Sequence, residues 1–266
     1  MTTVNELMRL NGRRALITGA AGGLGRVMAL TLAELGADLV LLDLDDTLLV
    51  ELAALIKGDW GIDVDVRSCD LESQVEREAL MADLLPEDRL DILINNAAFV
   101  GTSGLEGWSV PFEQQSIETW RRALEVNLTA AFHLSQGLAP LLRSSGRGSI
   151  INVASIYGQY GPDWGLYEGT SMGNPAAYAA SKGGLLQITR WLATTMAPAV
   201  RVNAISPGGI GRGQAQSFVE RYKARTPMGR MATEDDFRGA VAFLASDMSA
   251  YVTGQTISID GGWGVW

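Results

Sequence analysis

At 266 residues, 47% of them hydrophobic and 19% charged, the chain is long enough to bury a sizeable core. Its net charge of −9 lacks the basic face of a nucleic-acid binder and the polybasic patch that holds a protein on an anionic membrane. The single cysteine, Cys69, excludes an internal disulfide, and no apolar run reaches signal-peptide or membrane-spanning length, so a cytoplasmic protein is expected.

Short apolar runs alternate with amphipathic stretches along the chain. RALIT (14–18) reads as a strand, and a glycine-rich turn leads into a helix over about 23–35. ADLVLLD (37–43) is a second strand, followed by a helix over 46–57. DVDVRSCD (63–70) alternates with the period of a strand, and Ser73 is placed to cap the next helix. RLDILIN (89–95) is a fourth strand, and one long helix is expected over about 116–142. GSIINVAS (148–155) is a fifth strand, with a helix over about 176–197 beyond an irregular loop. VRVNAIS (200–206) is a sixth strand. Thr233 and Asp236 form a capping box for a helix ending near Ser246, and TISID (256–260) closes the series.

Seven strands alternating with helices predict an α/β fold: one parallel sheet covered on both faces, in one domain over 1–266. Two segments rich in glycine and proline, 157–175 and 206–213, break the rhythm. Both follow strands, so both fall at the carboxyl rim, where open α/β sheets bind ligands.

TGAAGGLG places Gly19, Gly23 and Gly25 where the first strand turns into a helix. Glycine allows the tight turn, the approach of a pyrophosphate to the backbone, and close packing of helix on sheet. The helix N-terminus then faces the phosphates with free N–H groups. Asp43 ends the second strand, where a carboxylate accepts hydrogen bonds from ribose hydroxyls and repels a 2′-phosphate. Neither residues 20–22 nor Leu44 supply a cation to offset that repulsion, so NAD is expected over NADP. Asp70 ends the third strand, to meet the adenine amine or cap the next helix. Tyr178 and Lys182 stand four apart on a predicted helix and share a face. A nearby ammonium lowers a phenol's pKa, which lets a tyrosine move a proton near neutral pH.

Together the motifs TGAAGGLG, Asp70, NNAA (95–98), the Asn of EVNL, the Ser of INVAS, YAASK (178–182), SPGG (206–209) and TGQTISIDGGW resemble the classical short-chain dehydrogenases/reductases over essentially the whole chain. The resemblance implies a doubly wound Rossmann fold with strand order 3-2-1-4-5-6-7. It implies hydride transfer between a nicotinamide and an alcohol or carbonyl, usually in a homotetramer. Carried over by match, Tyr178 is the general acid/base, and Lys182 lowers its pKa and binds the nicotinamide ribose. Ser155 binds the substrate oxygen, and Asn127 holds a water that links Lys182 to solvent. Asn96 and Ala97 line the adenosine side. Pro207 and Gly208 shape the nicotinamide pocket, and Leu24, Leu71 and Ile210 complete the cofactor lining. Two positions depart from the family pattern: Ala98 replaces the last glycine of NNAG, and Arg212 stands where a cofactor-contacting threonine is common.

Ser155 and Tyr178 lie 23 residues apart, roughly ten more than the family usually places there. The added loop is aromatic and acidic. Tyr160, Trp164 and Tyr167 offer flat faces, and Asp163 and Glu168 offer acceptors, which suits a polyhydroxylated ring or an amine. Packing against a second subunit, or wedging the loop shut, accounts for the same residues. A second segment, 209–230, corresponds to the family's mobile lid. Its Arg212, Arg221 and Lys223 are either solvated or turned to an acidic substrate group. Phe99, Trp108 and Phe112 are placed to line the same cleft. The only histidine, His133, reads as structural, and no cluster has metal-ligand spacing. The expected activity is NAD-dependent interconversion of a secondary alcohol and a ketone on a small molecule, sugar-like or polyol. An NAD-retaining sugar epimerase or dehydratase, and a non-catalytic dinucleotide-binding regulator, are the alternatives.

Overall fold

The structure is a computed structural model describing residues 1–87 and 89–266. A short helix, α1 (Val4–Met8), precedes β1 (Arg14–Thr18), α2 (Gly23–Glu34), β2 (Asp38–Asp43), α3 (Asp46–Trp60), β3 (Val64–Ser68) and α4 (Gln74–Leu84). Then follow β4 (Ile92–Asn95), α5 (Ile117–Leu124), α6 (Ala130–Gly137), α7 (Ala139–Ser144), β5 (Gly148–Val153) and α8 (Ala176–Met196). β6 (Val200–Pro207), α9 (Gln216–Arg225), α10 (Arg238–Ala245) and β7 (Thr256–Ile259) complete the chain. The strands form one parallel sheet in the order β3-β2-β1-β4-β5-β6-β7, a doubly wound Rossmann fold.

Alternation along the inner strands divides the core between the two faces. On β1 and β2, Ile17, Leu39 and Leu41 meet Met28 and Leu32 of α2, Leu52 and Ile56 of α3, and Leu244 of α10. Their neighbours Leu16, Val40 and Leu42 point the other way, to Leu80 and Leu84 of α4, Leu134 of α6 and Met196 of α8. Central β4 and β5 are buried throughout, as a sheet covered on both faces requires. β3, at the edge, is only partly buried.

The long helix expected over 116–142 is broken twice. Residues Glu125–Thr129 form a π turn, in which the N–H of Ala130 reaches back five residues to Glu125. At Leu138, with φ −91° and ψ 0°, α6 ends and α7 begins. Pro140 explains the second break: it has no N–H, and its ring would press on the carbonyl four residues back. The Thr233–Asp236 capping box forms as expected, though it opens a 3₁₀ turn (Glu234–Phe237) before α10. His133 is structural: its Nδ1 accepts from Arg77 Nε at 3.2 Å, and Arg77 also pairs with Glu125. Cys69 is 3% exposed, and burial pushes its thiol up to about 11, so it is unreactive at neutral pH. Among the described residues no helix is long and apolar enough to cross a membrane, and no group of three or more metal-binding side chains gathers.

Candidate active site

The glycine turn leaves no room for a side chain at Gly19 or Gly25. A Cβ on Gly25 would lie 1.9 Å from the Gly19 carbonyl oxygen, and one on Gly19, at φ +66°, would press on Asn96 and Ala97. Helix α2 opens at Gly22 with no side-chain cap and no acid in its first turn, so its positive end is available to an anion. Thr18, which the sequence reading passed over, ties this turn to β4. Its Oγ1 accepts from the backbone N–H of Asn96 at 2.9 Å and of Ala97 at 3.0 Å, while Asn96 Nδ2 donates to the Thr18 and Gly19 carbonyls. A buried hydroxyl one residue before a glycine turn was the signal available for it.

Asp43 stands beside the same turn. Its two oxygens accept from Ala21 N at 2.9 Å and Leu44 N at 2.8 Å. Asp70 accepts from Glu72 N at 2.8 Å, a local turn contact, while Ser73 caps α4. Leu71 is buried in the α4 face of the core. Leu24 packs from α2 against the opposite core, and Ile210 bridges to Ala232 at the start of the lid. Pro207 ends β6 and Gly208 follows it, where a Cβ would meet Asp260 and the Tyr222 hydroxyl.

The residues of the expected tetrad converge at the ends of β4 and β5. Asn127, in the π turn, is 1% exposed. It clamps Phe99, accepting from its N–H at 2.7 Å and donating to its carbonyl at 3.1 Å, and Nδ2 also donates to Ser181 Oγ at 3.1 Å. The carboxamide is thus committed to the protein, and its visible work is to fix α8 beside the NNAA segment. Ser155 caps the 3₁₀ turn Ile156–Gly158, accepting from Tyr157 N at 3.2 Å. Lys182, 3% exposed, donates from Nζ to the Val153 carbonyl at 2.7 Å and lies 5.8 Å from the centre of the Tyr178 ring.

Charge in this cluster differs from the expectation that Lys182 lowers the Tyr178 pKa. Burial of the phenol dominates and raises it, while Ser155 and Arg212 pull in the opposite direction. The lysine is turned towards Val153, and burial pushes it down to about 8. Its cost to folding is complete below about pH 8 and is relieved as pH climbs towards the unfolded value of 10.5. The unfolded chain binds more protons across that window, so this contribution makes stability rise by up to about 1.4 kcal/mol per pH unit. Tyr157, Tyr167, Tyr178 and Tyr222 have raised values, so their contributions fall only as pH climbs beyond the unfolded value near ~10. Denaturant melts of the native chain and of Lys182→Met across pH 7 to 10 should show the native chain gaining on the variant; a constant difference would contradict the lysine's depressed pKa.

The loop 157–175 and the segment 209–230 form one packed unit. Tyr167, Phe218, Tyr222 and Trp263 share a cluster with Leu166 and Met231. Arg221 donates to the Gly165 and Glu168 carbonyls at 2.6 Å each, Arg225 pairs with Asp163, and Tyr222 accepts from Gly209 N at 2.5 Å. Arg221 is therefore a strut between loop and lid. Of the loop residues expected to contact substrate, Tyr167 alone is close enough to affect the Tyr178 phenol. Tyr160 leans on Trp263 at 6.1 Å, Trp164 is 59% exposed, and the Glu168 carbonyl serves Arg221. Arg212 pairs with Glu234 at 2.8 Å, and Arg212 Nη2 and Glu234 Oε1 each lie 3.0 Å from where a Gly23 Cβ would stand, so an ion pair sits over the glycine turn. Trp108 is buried with Phe99 near Tyr178, whereas Phe112 is 78% exposed.

Comparison with known proteins agrees with this geometry. The family described as enoyl-(acyl carrier protein) reductase matches residues 19–264. A 3-oxoacyl-[acyl-carrier-protein] reductase of Thermotoga maritima is 33% identical over 263 residues, 96% of this chain and 99% of that protein. A tropinone reductase homolog of Arabidopsis thaliana is 35% identical over 268 residues, 96% of this chain and 94% of its own. The crystal structure of a gluconate 5-dehydrogenase from Burkholderia cenocepacia, in complex with NADP and tartrate, superposes with a TM-score of 0.87. It is 29% identical, covering 99% of this chain and 100% of that one. A structure from Beutenbergia cavernae described as an NAD(P)-dependent gluconate 5-dehydrogenase, with NADP bound, gives 0.86 at 33% identity, covering 98% of this chain and 100% of that one. With the glycine turn, the Ser155–Tyr178–Lys182 cluster and the strand order all in place, the chain belongs to the classical short-chain dehydrogenase/reductase family of oxidoreductases.

Proposed function

We propose that this oxidoreductase uses NAD to interconvert a secondary alcohol and a ketone on a polyhydroxylated small molecule. The observation that carries the reading is the convergence of Ser155, Tyr178 and Lys182 beside a glycine turn open to phosphate. The residues present fit a dinucleotide: a backbone cradle that no Cβ could enter at Gly19 or Gly25, and an uncapped helix start beneath the Arg212–Glu234 pair. Bound nicotinamide supplies the site that accepts or returns the hydride. In reduction, the protonated Tyr178 Oη–H donates its proton to the carbonyl oxygen as the carbon receives the hydride; in the oxidative direction Tyr178 must first lose that proton, and its phenolate then takes the hydroxyl proton as the carbinol carbon gives up its hydride. Ser155 Oγ–H donates to the substrate oxygen and stabilises charge that builds there. Lys182, with a pKa near 8, carries positive charge beneath Tyr178 at neutral pH and favours the phenolate when the proton moves. Asn127 holds Phe99 and Ser181, and so the turn of α8 that carries both residues.

The cofactor preference rests on Asp43. Its carboxylate faces the turn, and Leu44 beside it is exposed and uncharged. A 2′-phosphate placed there would meet a negative charge with no cation at 20–22 or 44. The two gluconate dehydrogenase structures hold NADP, so this chain is proposed to differ from them in cofactor. Their names, and the tartrate in one of them, support a polyhydroxylated acid or related polyol as substrate. The test is a panel of sugar acids, sugars, polyols and apolar secondary alcohols with each cofactor, read by absorbance of the reduced nicotinamide. Turnover with NAD on a polyhydroxylated compound is expected. Turnover confined to apolar alcohols, or to NADP, would overturn the corresponding half of the reading.

A further inference from the structure

The added loop ends beside the catalytic tyrosine with a polar cluster: the rings of Tyr157 and Tyr167 pack against Trp263 and Phe218, but their hydroxyls and the Asn174 carboxamide meet one another. Tyr157 follows Ser155 by two residues, and Asn174 precedes Tyr178 by four, so both chain ends are anchored to groups of the reaction site. The hydroxyls of Tyr157 and Tyr167 lie 2.5 Å apart. Asn174 is 7% exposed, and among the described residues its Oδ1 has no hydrogen-bond partner. Buried carboxamide oxygens are almost always paired, so an orphan at a reaction site points to a donor arriving from elsewhere.

The protons can be counted. Whichever phenol donates, the tyrosine pair uses one O–H within itself and leaves the other free. Asn174 acts on both phenols in the sense that lowers their pKa, as an NH₂ group turned towards their oxygens does, and its Oδ1 is left as an open acceptor. Burial raises both phenols, so they remain protonated donors at neutral pH. One open acceptor beside one spare O–H matches a hydroxyl group, which both donates and accepts.

We propose that Asn174, backed by the Tyr157–Tyr167 pair, determines specificity by accepting a hydrogen bond from a substrate hydroxyl next to the reacting carbon. The assignment rests on the polyhydroxylated substrate proposed above. Sites built to pair with a hydroxyl reject analogues that lack it, because their own polar groups are then left unpaired.

The test uses the full-length enzyme with a vicinal polyol it turns over and the deoxy analogue lacking the neighbouring hydroxyl. The native chain should favour the polyol in kcat/KM by about tenfold to a hundredfold. In Asn174→Leu that preference should collapse towards unity, mainly through a higher KM for the polyol, with kcat/KM on the analogue within about threefold of native. Asn174→Asp, which keeps an acceptor, should retain most of it; Asn174→Ala serves if the leucine variant does not fold. A preference kept in Asn174→Leu, as when the orphan oxygen only holds a water, would overturn the proposal while leaving the polyol reading intact. Failure of the native chain to turn over any vicinal polyol of the panel would overturn both.

Discussion

Tyr178→Phe should lose about 10²- to 10⁴-fold in kcat while binding NADH as tightly as the native chain. The variant removes one oxygen and keeps the ring, which packs with Trp108, Ala123 and Ala177. Its neighbours Ser155 and Lys182 have their own partners in Tyr157 N and the Val153 carbonyl, so they need not move. The loss should therefore fall on proton transfer and spare cofactor affinity and fold. Initial rates on a substrate from the panel, beside a fluorescence titration of NADH, separate these quantities. Activity within a few-fold of native would mean that another group moves the proton.

Asp43→Ala should weaken NAD binding by about ten- to a hundredfold, the range for a lost hydrogen bond to a charged group, and shift the NAD-to-NADP ratio towards NADP. The change has two parts, because Asp43 also accepts from Ala21 and Leu44 and so holds the glycine turn. Asp43→Asn divides them in part: it removes the charge and keeps one of the two acceptors, at the loss of one backbone hydrogen bond to Ala21 or Leu44. If repulsion of the 2′-phosphate sets the preference, Asp43→Asn should relax it at a stability cost of about 1 kcal/mol. Dissociation constants for both cofactors in all three proteins decide the matter, and an unchanged ratio in both variants would remove Asp43 from cofactor selection.

The sheet could be read from sequence because its information is local. Strict alternation, as in Leu39–Leu42 between the two cores, follows from the strand period alone. The glycine turn was legible for a similar reason: the close approach of Gly25 to Gly19 spans six residues. What could not be read depends on distant partners. The π turn that buries Asn127 lies within a continuous helical pattern, and its clamp on Phe99 joins residues 28 apart. The second helix break did carry a signal, Pro140, that the apolar periodicity masked. The raised phenol of Tyr178 comes from burial, in a cluster with Trp108, Ala123 and Ala177, which spacing to Lys182 cannot reveal. The loop aromatics suggested a ligand surface by composition, yet Arg221, Arg225 and Trp263, all 50 or more residues downstream, claim most of that loop. Asn174 was passed over because a lone asparagine before a proline reads as a turn residue.

The most direct measurement follows a label. NADH deuterated at the transferring position of nicotinamide C4 would be incubated with the ketone partner of a panel substrate, and the product examined by mass spectrometry and NMR. The account predicts one deuterium on the new carbinol carbon for each NADH oxidised, and transfer slowed by about 10²- to 10⁴-fold with Tyr178→Phe. Product formed without label and without net oxidation of NADH would contradict a dehydrogenase and point instead to a sugar epimerase or dehydratase that retains its cofactor.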